Sequence, residues 1–402
     1  MDATLSVDVP VRPGLDPGFL PAALWNRAYR ERAAADPAST ELRLGLGRAD
    51  GTCFVHDARI LPHSAATAAL NLRYVERLVK TLLWQRGGSR IYLGGCPELV
   101  APLSQIYAAD GPRAFDHEIV GRKMFDEGIR VTACARDEVP PARARAMPLG
   151  RHLDGCRIGF DLGGSDRKCA ALIDGQVVHS EEVEWDPYFE SDPDYHYQGI
   201  MDSLRRAAAH LPRVDAIGGS AAGVYVGNEV KAASLFRGIS AADYQAKVRR
   251  IFFRVQEDWG GVPFEVVNDG EVTALAGSMS IGDGAVLGVA MGTSTAAGYC
   301  DPDGHITLGL NELAFSPVDY RADAPADEWS GDLGCGVQYF SQQAVARLAP
   351  MAGIELPADM PFPEQLVAVQ ARMAAGDPRA RAVYETIGDC FGWSIAHWAE
   401  FY

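Results

Sequence analysis

The sequence predicts an α/β protein with more than one domain, in which mixed sheets are flanked by helices. A chain of 402 residues is too long for one ordinary core. Two short apolar strands each run into a glycine-rich turn, the first from Arg157 to Ser165 and the second from Ala285 to Ser294. A further strand follows each turn and closes a hairpin. We interpret this pattern as a repeat of architecture.

Residues 1–150 are predicted to form an accessory α/β region of unknown role. Apolar residues at helical spacing over 65–86 indicate an amphipathic helix. Ile91–Leu93 then reads as a buried strand that leads into Gly94 and Gly95. The proline-containing stretch 138–147 is interpreted as a linker. Weaker patterns predict helices over 25–35, 97–108 and 119–129, and strands over 41–48 and 130–134.

Residues 151–283 are predicted to form a first lobe with the element order β-β-β-α-β-α-β-α. Asp174 and Gly175 form the expected turn of its second hairpin. A mixed sheet flanked by helices follows from this order. The strands are expected over 157–163, 168–173, 176–185, 216–219 and 264–268, and the helices over 197–210, 241–259 and after Asp269.

Residues 284–402 are predicted to form a second lobe that is incomplete at its C-terminus. A further hairpin is predicted at the start of this lobe, with strands over 286–291 and 296–300. The chain stops inside an amphipathic run, whereas a domain is expected to pack further structure after such a helix. The helices of this lobe are expected over 337–348, 362–374 and 378–402.

Composition and charge restrict the classes of partner. The formal net charge is −16, which disfavours nucleic acid or an anionic membrane as the main partner. None of the eight cysteines forms a C-x-x-C pair, so we expect reduced thiols. The N-terminus lacks a secretory signal pattern, and no apolar run reaches the roughly 20 residues of a membrane span. The protein is expected to be cytoplasmic, and a homodimer is expected on base rates alone.

Glycine-rich turns between strands expose backbone N–H groups that can bind phosphate. A strand between the two turns, over 264–268, ends in a carboxylate at Asp269, which is positioned to accept a proton from an attacking hydroxyl. This arrangement favours phosphoryl transfer from a nucleotide to a small alcohol. The candidate phosphate-binding residues are Gly163, Gly164 and Ser165 in the first turn and Gly292, Thr293 and Ser294 in the second.

Three segments of the chain resemble motifs of the actin-like sugar kinases. Asp161–Lys168 resembles their first phosphate segment and Met291–Thr295 their second, and Val267–Gly270 resembles the strand end that carries the base in the ROK family of bacterial glucokinases, related kinases and repressors. The resemblance covers about residues 156–402. It implies a two-lobed actin-like (ribonuclease H-like) fold, ATP and Mg²⁺ as cofactors, and a sugar as the substrate.

The resemblance also implies roles for individual residues. Asp269 would be the general base, with Asn268 and Glu312 binding sugar hydroxyls. Asp161 would hold Mg²⁺ through water, because this ion keeps much of its hydration shell, and Lys168 would lie near the phosphates. Plainer alternatives are a helix cap for Asp269, a turn residue for Asn268, a bond from Asp161 to the glycine loop and a solvated Lys168. The second glycine turn could likewise be an ordinary hairpin.

The chain departs from the ROK pattern at the positions where the family contacts its sugar and binds zinc. Phe315 stands where the family has a histidine, and Val337 where it has a glutamate. Cys335 alone remains of the zinc-binding thiols, and one thiol cannot build a tetrahedral site, so no structural zinc is expected. The adenosine-binding strand, Gly-Gly turn and helix of the family are also missing before Tyr402. Truncation is the favoured explanation, and supply of this segment by residues 70–135 through permutation is the alternative.

Two functions remain open at this stage. The leading prediction is an ATP- and Mg²⁺-dependent sugar kinase, and the alternative is a non-catalytic sugar-binding sensor or regulator. ROK repressors carry an N-terminal helix-turn-helix, and no convincing one is recognisable in residues 1–80. Retention of Asp269 and of both glycine turns favours an enzyme, because a sensor needs neither. A scaffold or ATPase-like role receives little support from the Asn268-Asp269 pair.

Overall fold

The computed structural model describes residues 5–402, which divide into two compact units. Unit 1 comprises the chain up to Arg145 together with residues 290–296 and 309–402. Unit 2 comprises residues 146–289 and 297–308. The N-terminal region and the C-terminal helices therefore share one unit, and the division of the chain into three domains stays a prediction. No helix within the described residues is long and apolar enough to cross a membrane.

The N-terminal part of unit 1 is a four-stranded mixed sheet with its helices. Its elements are α1 (Ala22–Ala35), β1 (Thr40–Gly47), β2 (Cys53–Ile60), α2 (Ala68–Gln85), β3 (Arg90–Gly94), α3 (Val100–Ile106), α4 (Ala114–Asp116) and β4 (Arg130–Cys134). The strand order is β2-β1-β3-β4, with β1 antiparallel to both neighbours and β4 parallel to β3. The amphipathic helix predicted over 65–86 is confirmed as α2. The helix predicted over 119–129 is instead a π-helix over His117–Met124.

Unit 2 contains most of the predicted hairpins, although the glycine turn over residues 292–294 belongs to unit 1. Its elements are β5 (Ala146–Met147), β6 (Cys156–Leu162), β7 (Asp166–Ile173), β8 (Gln176–Glu184), α5 (Pro193–Ala208), β9 (Ala216–Ala221), β10 (Val224–Val226), β11 (Glu229–Ala232), α6 (Ala241–Asp243), α7 (Ile251–Asp258), β12 (Phe264–Asn268), α8 (Asp269–Ile281), β13 (Val286–Met291), β14 (Thr295–Cys300) and β15 (Ile306–Thr307).

The central sheet of unit 2 has the strand order β12-β9-β6-β7-β8. Strands β6, β7 and β8 form an antiparallel meander, and β9 and β12 run parallel to β6. This is the 3-2-1-4-5 order of the ribonuclease H-like fold, with α5 packed on β6 and β7. Phe160, Leu204 and Phe252 are buried in its core. A second sheet has the order β13-β14-β15-β5, so the predicted class of mixed sheets flanked by helices is confirmed.

The single helix predicted over 241–259 is wrong. The chain forms α6, a π-helix over Tyr244–Val248 and then α7. The N–H of Arg249 bonds to the carbonyl of Tyr244, five residues back, at 2.8 Å, and this interrupts the α-helical ladder. The hairpin of β10 and β11 was not predicted, because strands of three and four residues are too short to show an apolar alternation.

Three C-terminal helices of unit 1 pack together and bury their own small core. They are α9 (Gln342–Met351), α10 (Phe362–Ala374) and α11 (Pro378–Trp398). Val345, Leu348, Val369 and Val383 are buried between them, and α11 also packs on α1. Helix α9 begins later than predicted because Ser341 caps its N-terminus.

Candidate functional site

Three parallel strands of unit 2 end at the same edge of the central sheet and carry polar side chains there. Asp161 lies near the end of β6, Ser220 near the end of β9, and Asp269 directly after β12. The register pairs Asp161 with Ser220 and Ser220 with Val267, so the carboxyl ends are level. Open α/β sheets bind ligands outside this end of their strands. Ser220 was missed by sequence reasoning, although it directly follows the strand predicted over 216–219.

Asp161 is half-buried at the middle of this edge. Its Oδ1 accepts a hydrogen bond of 2.6 Å from the hydroxyl of Ser220, while no described residue donates to Oδ2. The bond fixes the carboxylate and leaves one oxygen for a further contact. A carboxylate oxygen of this kind is a ligand type that Mg²⁺ accepts, directly or through water. The residues present therefore fit the predicted magnesium contact.

Asn268, and not Asp269, is the N-cap of α8. The Oδ1 of Asn268 accepts from the N–H of Gly270 at 2.7 Å, and its Nδ2 donates to the carbonyl of Gly223 at 2.7 Å. The capping alternative considered for Asp269 thus applies chiefly to its neighbour. Asp269 keeps one 3.0 Å contact with the same N–H of Gly270. Its carboxylate is placed at the first turn of the helix, beside the polar edge.

The surroundings of Asp269 raise the pKa of its carboxyl. Burial is the largest cause; the hydrogen bond from Gly270 opposes the rise, and the negative charge of Asp161 adds to it. Asp161 therefore lies close enough across the sheet edge for its charge to contribute to the raised pKa of Asp269. A base is better matched to proton transfer near neutral pH when its pKa is raised towards that range. The geometry and the charge at Asp269 therefore suit a general base.

The first glycine turn joins β6 to β7 and presents two unpaired N–H groups. The N–H of Gly163 donates to the carbonyl of Asp166 at 2.9 Å and is already used. No described residue accepts from the N–H groups of Gly164 and Ser165. Trp185 holds the turn from the other side, with its indole N–H on the carbonyl of Gly163 at 2.8 Å. The turn is therefore rigid and can donate two backbone hydrogen bonds to an anion.

Lys168 is engaged with a carboxylate next to this turn. Its ammonium forms an ion pair with Asp166, and the hydrogen bond within this pair raises the pKa of Lys168. Asp166 also accepts from the hydroxyl of Ser165 at 2.8 Å. The positive charge of Lys168 is thus locally balanced, and a phosphate contact would require the pair to open.

The second glycine turn belongs to unit 1 and is exposed over residues 292–294. The N–H of Gly292 donates to the carbonyl of Ser294 at 2.9 Å, and the N–H of Gln342 donates to the carbonyl of Gly292 at 2.9 Å. The turn is thereby tied to the first residue of α9. No described residue accepts from the N–H groups of Thr293 and Ser294.

Glu312 and the positions that depart from the ROK pattern also lie in unit 1. The N–H of Glu312 donates to the carbonyl of Trp84 at 2.9 Å. Phe315 stacks on the same indole, with ring centroids 4.3 Å apart. Cys335 and Val337 are buried and pack with one another. Phe315, Cys335 and Val337 thus all take part in apolar packing.

Comparison with solved structures returns proteins described as ROK family members, each with a partial match. A ROK hexokinase from Thermus thermophilus is 19% identical, over 57% of this chain and 72% of that chain, with a TM-score of 0.44. A ROK family glucokinase from Streptomyces griseus in complex with glucose and AMPPNP is also 19% identical, over 58% and 75% of the two chains, with a TM-score of 0.43.

A third match is a ROK family transcriptional regulator described as a homolog of the E. coli MLC protein. It is 19% identical, over 60% of this chain and 61% of that chain, with a TM-score of 0.46. The retrieved structures thus include both kinases and a regulator. No family model and no curated protein matches the chain.

Proposed function

We propose that the protein transfers the γ-phosphoryl group of ATP to a hydroxyl group of a sugar, with Asp269 as the general base. The observation that carries this proposal is the edge of unit 2, where the half-buried carboxylate of Asp269 follows β12 near Asp161, whose charge adds to the rise in the pKa of Asp269. The turn that follows β6 presents two unpaired N–H groups, at Gly164 and Ser165. Base, cation ligand and phosphate donors are the groups that phosphoryl transfer needs.

Each residue of this edge has a defined task in the proposed reaction. Asp269 accepts the proton of the attacking hydroxyl, which must bind within hydrogen-bond distance of its carboxylate. The N–H groups of Gly164 and Ser165 donate to phosphate oxygens, where charge develops. Asp161, oriented by Ser220, would hold the hydrated Mg²⁺. When bound, this ion neutralises phosphate charge.

For residues of unit 1, the proposal keeps the roles that the sequence resemblance implies. The second turn would bind the β- and γ-phosphates, through the N–H groups of Thr293 and Ser294 together with Gly292. Glu312 would bind sugar hydroxyls, and Asn268 of unit 2 would do the same with its second amide N–H. Lys168 would contribute to the phosphate site once its pair with Asp166 opens.

A non-catalytic sugar-binding protein is the second candidate, and a specific observation favours it. Phe315 packs against the rings of Trp84 and Phe115, with centroids 4.3 and 5.5 Å away, where the resemblance would place a histidine. An apolar ring in this position cannot make the polar sugar contact of that histidine. A sensor would still bind a sugar but would not need a base of raised pKa.

The test is ADP release from Mg·ATP across hexoses, hexosamines and N-acyl sugars, with sugar binding measured in parallel by calorimetry. We expect turnover that depends on one class of sugar and is lost in Asp269→Asn. Asp303→Asn, which alters an exposed carboxylate of the same unit, is the matched control and should keep full activity. Sugar binding without any turnover would support the sensor instead.

A further inference from the structure

Two aromatic rings of unit 2 contact an arginine beside the first glycine turn. The guanidinium of Arg237 lies 4.1 Å from the ring centroid of Tyr188 and 4.8 Å from that of Phe189. Tyr188 in turn packs on Gly164, because a Cβ built on that glycine would lie 1.9 Å from the phenol oxygen. We call Tyr188, Phe189 and Arg237 the arginine clamp. One residue thus joins the clamp to the turn.

The two segments that carry the clamp are fastened together by close packing. Buried His196 lies with its Nε2 3.1 Å from the carbonyl of Pro187 and 2.9 Å from that of Leu235, one on each segment. Gly238 lies directly on the backbone of Phe189 and Glu190, where an added Cβ would lie 2.5 Å from a carbonyl oxygen. The position of Arg237 is therefore set by the fold.

The guanidinium of Arg237 has no hydrogen-bond or ion-pair partner among the described residues, although it is exposed and charged. Lys168, the cation that the sequence assigns to the phosphates, is already paired with Asp166. Most arginines of unit 2 likewise have carboxylate partners, as Arg167 has in Asp202 at 2.8 Å. Arg237 combines a guanidinium that contacts two aromatic rings with donors that have no partner among the described residues. This combination is suited to an anion, because the guanidinium can donate two parallel hydrogen bonds to a phosphate or carboxylate.

We infer that Arg237 binds an anionic phosphate or carboxylate group of the ligand that the Gly163–Ser165 turn receives. The inference rests on the proposed function only in taking this turn as the place where the ligand lies. Contact with the rings of Tyr188 and Phe189 restrains the guanidinium, so less side-chain freedom is lost on binding. The anion is either a phosphate of the nucleotide or an acidic substituent of the acceptor sugar.

The experiment measures binding by calorimetry for the full chain and for Arg237→Gln and Arg237→Lys. The probes are Mg·ADP, inorganic tripolyphosphate, glucose 6-phosphate and glucuronate, with neutral glucose as the uncharged reference. Arg250→Gln is the matched control, because Arg250 is also exposed and also stacks on a ring, that of Phe253 at 4.8 Å. Thermal unfolding of each variant checks that the fold is kept.

Arg237→Gln is expected to weaken at least one anionic probe by about tenfold or more, as the loss of a charge-assisted pair does. Arg237→Lys should fall between it and the wild type, because it keeps the charge but not the planar fork. Weaker binding of ADP and tripolyphosphate would identify the nucleotide as the source of the anion. Weaker binding of the acidic sugars would identify the acceptor sugar as the source. Glucose binding and the control variant should not change.

Equal affinity of Arg237→Gln and the wild type for every anionic probe would overturn the inference, and so would a wild-type protein that binds none of them. The same losses in Arg250→Gln would also overturn it, because they would show a general effect of net charge. These outcomes are independent of turnover. A protein that shows no kinase activity but loses anion binding in Arg237→Gln would refute the proposed function and keep the anion site.

Discussion

Replacing Lys80 by methionine should destabilise unit 1 strongly. The ammonium of Lys80 is fully buried and donates to both oxygens of Asp116, at 2.7 and 3.0 Å, and to Asp332. In Lys80→Met, Asp332 keeps its ion pair with Arg113. Of the side-chain contacts described for Asp116, only the hydrogen bond from the indole N–H of Trp84, at 2.9 Å, remains. One buried carboxylate is then left without a cation.

Removal of one partner from a buried ion pair costs about 3–5 kcal/mol. For a unit of this size, about 2–4 °C of unfolding midpoint corresponds to each kcal/mol, so we expect the midpoint to fall by about 6–20 °C. Urea unfolding followed by tryptophan fluorescence measures the loss directly. Lys123→Met, at an exposed lysine, is the control and should change the free energy of unfolding by less than about 0.5 kcal/mol.

The double variant Lys80→Met with Asp116→Leu should recover part of the loss, because it removes the orphaned charge together with its partner. A loss below about 1 kcal/mol in Lys80→Met alone, the range of exposed ion pairs, would refute the reasoning. It would mean that water or a rearranged side chain compensates the charge of Asp116. The group formed by Lys80, Asp116 and Asp332 would then not be sealed from water as its contacts indicate.

Three further predictions follow from buried or crowded groups. Burial lowers the pKa of His397 to about 3, so below about pH 6.5 the unfolded chain binds a proton there that the native state does not. His397→Leu should therefore lose about 2 kcal/mol less stability than the wild type between pH 7 and pH 5, by urea unfolding; equal losses would contradict this. Gly164→Ala should weaken ADP binding by about tenfold or more, since its Cβ displaces Tyr188, whereas Gly159→Ala, with open space around it, should bind normally in calorimetry. Finally, kcat/KM should fall with decreasing pH through an apparent pKa above the ordinary value of about 3.9 for Asp269, and a flat profile down to pH 4 would exclude this base.

The sheet edge of unit 2 could be predicted because its signals are local. An apolar strand followed by glycines or by a carboxylate is readable from a few neighbouring residues, and parallel strands bring such ends together. Asp161 and Asp269 were identified in this way. Ser220 was not, because a serine after a strand carries no chemical signal of its own.

Contacts between distant segments could not be predicted. Lys80 and Asp332 are 252 positions apart, and nothing in either local sequence indicates that they pair. Arg237 and its two rings are likewise brought together only by packing of two loops. Charge pairing of this kind depends on the finished fold, since any of many acidic residues could partner a given cation.

The break in the helix predicted over 241–259 has a local cause that apolar periodicity does not show. Apolar residues continue at helical spacing through the interruption, while the backbone adds one residue to a turn at Arg249. Periodicity reports which face is buried and not how the hydrogen bonds run.

The central claim is that Asp269 removes a proton from a sugar hydroxyl while the phosphoryl group is transferred. The most direct measurement compares kcat and the sugar dissociation constant of Asp269→Asn with those of the wild type, with the best sugar of the panel and saturating Mg·ATP. We expect kcat to fall by about 10²–10⁴-fold, the usual contribution of a positioned base, while the dissociation constant stays within about threefold. A variant that retains most of its kcat would contradict the account.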